Sequence, residues 1–288
     1  MIDPGTGLTI LGSAIGGSKV VEKILGPTSE YIGEQLKEWT EKKVKNTANI
    51  FKNAEKKLGK KLEQDGNVSP KILKSILEDG AWCEEELQVE YFGGVLASSR
   101  TGVSRDDRGA YYTDLISRLS TYQLRMHYLF YHSLKQHFDG QDINIGDGNI
   151  WRKLQLFMTY ETYYSAMDFT EEEGQNWVNL MSHSVWGLNK ESLISDFSYG
   201  NIDHLKKKFS AVKNNGILMI PSKIGVELFM WAYGYGQNDP NDYFKSSIKF
   251  NDEQTIKIGQ SLSTEEELKV EKERKKAEKE KENKNNTR

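Results

Sequence analysis

A chain of 288 residues, 37% hydrophobic and 28% charged, is long enough to bury a sizeable core, and six tryptophans and fourteen tyrosines set it apart from disordered sequences. A formal net charge of −3 gives no general attraction to a polyanion, so any basic surface must be local. The single cysteine, Cys83, excludes an intramolecular disulfide framework and a cysteine-based zinc site, and fits a reducing cytoplasm. The N-terminal stretch lacks the early basic residues of a secretory signal, and no apolar run approaches the ~20 residues of a membrane-spanning helix.

In chain order, residues 1–18 are MIDPGTGLTILGSAIGGS, a glycine-rich apolar segment. Residues 19–65 read as a basic amphipathic helical arm, interrupted at Gly26-Pro27 because proline after glycine separates two helices. From Met1 to Lys61 there are eleven lysines against seven acidic residues, while Trp39, Val44, Ala48, Phe51, Ala54 and Leu58 keep a drifting apolar stripe. Residues 66–140 read as a helical core. Gly66-Asn67 is a turn, and Ser69-Pro70 starts a helix: serine caps free amides, and proline at the first helical position lacks only a donor that would go unused. That helix, KILKSILEDG, ends at Gly80; a second spans roughly Glu84 to Ser98, and a third runs from SRDDR to about His137.

Residues 141–250 read as an α+β region after a loop dense in glycine and aspartate. LQLFMTY reads as a short strand or buried segment leading into a helix, Glu171 to Leu188 is helical, and a lysine-bearing helix lies near Leu205. NNGILMIPSKIGVELFMWAYG then gives a turn, an apolar strand of about four residues and a helix begun by Pro221-Ser222. From Thr264 onward nine basic and eight acidic residues interleave, so residues 251–288 are expected to be a charged tail, helical or disordered, with almost nothing to bury.

Most chemical motifs fail on inspection. Gly12 to Lys19 nearly matches a phosphate-binding loop, but the order is Ser18-Lys19 and no strand precedes it. Residues 1–18 read as a terminus packed on the body or loose, with contact at a membrane surface as the functional alternative. The Asp142–Asn149 loop has Asp147 and Lys153 where a calcium loop needs glycine and a bidentate glutamate. His127, His132 and His137 are spaced by five, which scatters them around a helix, and no catalytic triad, metal set or cofactor motif is present. Ser104 and Asp107 match a capping box, so RDDR reads as a helix start. On that helix Tyr111, Leu115, Leu119, Tyr122, Met126 and Leu129 form the expected buried stripe. Asp107, Asp114, Arg118 and Arg125 fall along its border as a charge column, structural or functional, with Asp114 and Arg118 one turn apart.

LKSILEDGAWCEEELQVEYFGGVLASSR, followed by RDDRGAYYTDLISRLSTYQLRMHYLFY, resembles the core of the bacterial Abi-alpha (abortive infection alpha) proteins. LMSHSVWGLNKESLI and GILMIPSKIGVELFMWA are similar to that family's C-terminal part, and their order also resembles the wing of a winged helix. The resemblance spans about Lys23 to Tyr235 and rests mainly on structural motifs. It implies a mainly α fold: a helical bundle, then a small winged-helix-like α+β module over residues 141–250, then the charged tail. It further implies anti-phage defence by abortive infection, toxic or growth-arresting when triggered, and it carries over no catalytic residue. The expected protein is a non-enzymatic effector or sensor, cytoplasmic or peripheral to the inner membrane. It would act through a phage or host protein, a second copy of itself, or a membrane met by the N-terminal segment. The alternative is a nucleic-acid-binding regulator, which eight basic against nine acidic residues from Thr170 to Phe250 disfavour.

Overall fold

The computed structural model describes Lys23, residues 41–250 and residues 262–285. The glycine-rich segment 1–18, the Gly26-Pro27 break and residues 251–261 lie outside the described residues.

α1 (Glu41–Leu58) turns Ala48, Phe51, Ala54 and Leu58 inward at helical spacing, with lysines along its outer side. A 3-10 turn, Gly59–Glu63, follows; the Arg100 guanidinium collects the carbonyls of Lys61 (3.0 Å) and Gln64 (2.5 Å) near it. α2 (Pro70–Glu78) begins at its proline, but the Ser69 side chain makes no cap bond. The Ser69 carbonyl accepts from the Ile72 and Leu73 amides instead. α3 (Glu86–Ser99) is buried nearly all round, which makes it the central helix of its neighbourhood. Its Gly93-Gly94 pair permits this. A Cβ on Gly93 would lie 2.6 Å from the Asn53 side chain of α1, and one on Gly94 only 1.6 Å from the Ala232 carbonyl oxygen.

The third helix expected from the sequence is two helices, α4 (Gly109–Arg118) and α5 (Thr121–Phe138). Leu119 between them is extended (φ −78°, ψ 132°), and Ser120 restarts the helix. The Ser120 amide donates to Gln123 Oε1 (2.9 Å) and the Gln123 amide to Ser120 Oγ (3.3 Å). The capping box is thus S-T-Y-Q at 120–123, not SRDD. The expected stripe changes with the break: Leu115, Leu119, Met126 and Leu129 are buried, whereas Tyr111 is 48% exposed.

A four-residue helix, α6 (Gly148–Trp151), leads to β1 (Leu156–Thr159) and α7 (Tyr160–Met167), whose first turn is capped by Thr159 Oγ1 at 3.0 Å from the Thr162 amide. The helix expected over Glu171 to Leu188 is interrupted at Asn176, giving α8 (Glu171–Gln175), closed by a Thr170/Glu173 capping box, and α9 (Trp177–Lys190). β2 (Ile194–Gly200) is a strand that sequence reading did not assign, because its ISDFSYG pattern is polar and contains a bulge. α10 (Ile202–Leu205), β3 (Gly216–Pro221) and α11 (Lys223–Ala232) follow. The tail forms α12 (Glu265–Asn285).

The chain divides into two compact units: Met1–Arg125 with Val226–Tyr243 and Lys249–Gln254, and Met126–Gly225 with Phe244–Ile248 and Thr255–Arg288. The first is helical, built around α3. A Lys57–Glu90 ion pair with both side chains nearly buried ties α1 to α3, and Ser98 Oγ donates to the Trp231 carbonyl (3.0 Å). The second unit contains an antiparallel three-stranded sheet of order β1-β3-β2, its strands in register Phe157 to Leu218 and Leu218 to Ser198. Phe157, Leu205, Phe209, Val212 and Leu218 form a core there, against which Leu268 of α12 packs. The tail therefore buries its beginning: Ser263 bridges Phe157 by two backbone hydrogen bonds (2.8 and 2.9 Å), and Ser210 donates to Glu265 (2.9 Å). His137 bonds the Leu262 carbonyl and lies 3.0 Å from the Glu267 carboxylate.

Within the same unit a buried polar network joins α5 to the strand ends. Tyr131 Oη donates to the Leu193 carbonyl (2.6 Å) and accepts from the Ser222 amide (3.1 Å). Ser222 Oγ donates to the Ser192 carbonyl (2.6 Å) and accepts from the Gly225 amide (3.0 Å). Gly225 has no room for a side chain: a Cβ would stand 2.0 Å from Tyr131 Oη and 2.3 Å from the Leu193 oxygen.

Candidate functional site

The RDDR sequence does not start its helix as expected. Ser104 lies in a turn, α4 begins at Gly109 without a side-chain cap, and the Asp107 carboxylate pairs with Lys71 at 3.1 Å on the surface. Asp106 is the organising residue. It accepts from the Arg108 amide (3.3 Å) and holds the Arg108 guanidinium through both carboxylate oxygens, Nε at 2.9 Å and Nη2 at 2.8 Å. Those bonds from Arg108 lower the Asp106 carboxyl to about 2. The same bond keeps Arg108 more firmly protonated. Gln237 completes the arrangement by accepting from Arg108 Nη2 (2.5 Å) and donating to the Ser98 carbonyl (2.9 Å).

Thus fixed, Arg108 stands at the wall of a cavity of about 360 Å³ with its Cζ 5.9 Å from the Trp231 ring centre. Tyr111, Tyr112, Trp231 and Tyr235 supply aromatic lining, with Glu227, Met230 and Asn238 between them. Tyr112 stacks on Trp231 (4.7 Å, 21°) and donates from Oη to Glu227 Oε2 (3.2 Å). Burial, followed by the Glu227 charge, raises the Tyr112 phenol far above its ordinary value, so it remains a donor. The cavity combines aromatic walls with a few convergent polar groups, the usual composition of a small-molecule site.

The charge column drawn from the sequence is only partly assembled. Asp114 and Arg118 approach to 2.9 Å, both about half exposed. Arg125 lies in the next helix, beyond the break at Leu119-Ser120, and its Nη1 lies 3.4 Å from Glu85. Asp107 is committed to Lys71.

Elsewhere the polar loop behaves as a turn: Asn144 Oδ1 accepts from the Gly146 amide and Asp147 Oδ1 from the Asn149 amide, each at 2.9 Å. His127 is fully buried against the Gly225 carbonyl (3.1 Å), and desolvation drives its pKa down to about 3, so it is neutral. Cys83 is 2% exposed, and desolvation pushes its thiol up to about 12. Among the described residues no cluster of three or more His, Cys, Asp or Glu is arranged to hold a metal, and no helix is long and apolar enough to cross a membrane.

Sequence reading missed the cavity because Arg108 and Trp231 are remote in the chain and no local pattern links them. The visible signal was compositional: tyrosines directly after RDDR, and WAYGYGQN after the last strand. No family model, no curated protein and no solved structure matches the chain.

Proposed function

We propose that this chain is a bacterial anti-phage defence protein acting by abortive infection, a non-enzymatic effector or sensor that works through a protein partner or a membrane surface. The observation that carries the reading is the Abi-alpha-like sequence itself together with where its segments lie. ELQVEYFGGVLASSR, RDDRGAYYTDLISR and VELFMWA, which are far apart in the chain, pack on one another in one unit, through the Gly94–Ala232 approach, the Ser98–Trp231 bond and the Tyr112–Trp231 stack. Motifs that a family would retain for structure are expected to meet in this way. Residues 1–18 remain the proposed membrane-contacting element, and the working location is the cytoplasm or the inner face of its membrane.

Expression in a bacterial host challenged with a panel of phages tests the proposal. Reduced plating with growth arrest of infected cells is expected. Unchanged plating of every phage, with no growth defect on overexpression, would overturn it. Deleting residues 1–18 separates the membrane version, which fails if protection and liposome binding both survive.

A nucleic-acid-binding reading has as its specific support the succession helix, strand, helices, strand, short helix, strand with order β1-β3-β2, which is winged-helix-like apart from the four-residue α10 between β2 and β3. Exposed Lys206, Lys207 and Lys208 between β2 and β3 occupy the wing of such a module. The charge balance of the region argues against several phosphate contacts. A gel shift with intact protein that weakens steeply with salt, and is lost on replacing the three lysines by glutamine, would favour this second reading.

A further inference from the structure

We propose that the Arg108–Trp231 cavity is a binding site for a flat nitrogen heterocycle of the nucleobase class, presented as a free base or nucleoside. The inference stands on the cavity and is independent of the defence reading.

Its volume of about 360 Å³ falls at the small end of ligand pockets, enough for a ring system with a small substituent. Aromatic lining favours a ligand with a π face, since base-on-aromatic stacking contributes ~1–3 kcal/mol whatever the base. The polar groups choose among flat ligands. Nε and Nη2 of Arg108 are committed to Asp106 and Gln237, and among the described residues no hydrogen bond engages Nη1. Held in place by that carboxylate, Arg108 presents fixed donors suited to a ring nitrogen or exocyclic carbonyl. Glu227 is an acceptor in the same lining, with one oxygen receiving the Tyr112 hydroxyl, and suits ring or exocyclic N–H groups. A rigid ring bearing both acceptors and N–H donors on its edges answers both.

The charge of the site disfavours the competitors. Asp106 neutralises Arg108, and Glu227 adds a negative charge, so a phosphate gains little and a nucleoside 5′-monophosphate should bind no more tightly than its nucleoside. A simple organic cation would use the rings and Glu227 but would face Arg108 with nothing to donate to.

Isothermal titration of the full-length protein with adenosine, guanosine, cytidine and uridine, their 5′-monophosphates, and choline tests this. At least one nucleoside is expected to bind, with its monophosphate no tighter and choline weaker. Glu227→Gln, which keeps shape and removes the charge, and Arg108→Lys, which removes the fork, should each weaken it about tenfold. Tyr111→Ala at the exposed rim should weaken it with an unchanged melting temperature. The proposal is overturned if no nucleoside binds at its solubility limit, if choline binds best, or if Glu227→Gln and Tyr111→Ala bind as tightly as wild type.

Discussion

Replacing Tyr131 with phenylalanine removes one oxygen from a completely buried site and leaves its packing in place. That oxygen donates to the Leu193 carbonyl at 2.6 Å and accepts from the Ser222 amide at 3.1 Å. A buried polar group left without a partner costs about 1–3 kcal/mol. The expected loss is therefore about 2–4 kcal/mol, a large part of the stability of an ordinary domain. For a chain of this size that corresponds to a melting temperature lower by roughly 5–10 °C. Urea unfolding followed by circular dichroism, with a thermal scan alongside, measures it. Tyr111→Phe, at an exposed ring, is the control and should remain within about 0.5 kcal/mol of wild type. Ser222→Ala breaks the same network from the other side, so the double variant should lose less than the sum of the singles. A Tyr131→Phe protein within 0.5 kcal/mol of wild type, or strict additivity with Ser222→Ala, would refute the network as a support of this unit.

Four further outcomes are expected. Gly94→Ala should fail to fold or melt far below wild type, because its methyl would fall 1.6 Å from a backbone oxygen that belongs to another helix; a shift under 2 °C would contradict the close approach. His127 is neutral in the folded protein with a pKa of about 3, whereas the unfolded chain takes up a proton near 6.5. Stability should consequently fall as pH drops from about 6.5 towards 3, by up to ~1.4 kcal/mol per pH unit from this residue, and His127→Gln should flatten that slope in urea melts taken across the range. The Cys83 thiol should resist iodoacetamide in the native protein at pH 8 and react quickly in urea; rapid native labelling would show that its burial is incomplete. Asp114→Ala, breaking a half-exposed pair, should cost less than about 0.5 kcal/mol, so a lost phage-protection phenotype with intact stability would return that position to the functional surface.

What the sequence by itself determined lies where local rules suffice. Pro70 opens α2, an apolar strand precedes α11, although β3 runs on through Pro221, which was expected to begin the helix, and the amphipathic spacing of Ala48, Phe51 and Leu58 marks α1. The Ser120/Gln123 capping box was legible as well, but the nearer Ser104/Asp107 match drew the helix start to the wrong place. The other outcomes depended on distant partners. β2 has a polar, bulged sequence and is a strand because β3 pairs with it, and Gly93-Gly94 is tolerated mid-helix because two other segments press against α3. The first turn of the charged tail is held because Phe157 offers a strand edge and the adjoining core receives Leu268. The candidate site is the clearest case. RDDR announced charge, but only the fold places Asp106 to clamp Arg108 and brings Trp231 and Glu227 to the same cavity, since cavities form from the packing of remote segments and leave no local period in the chain.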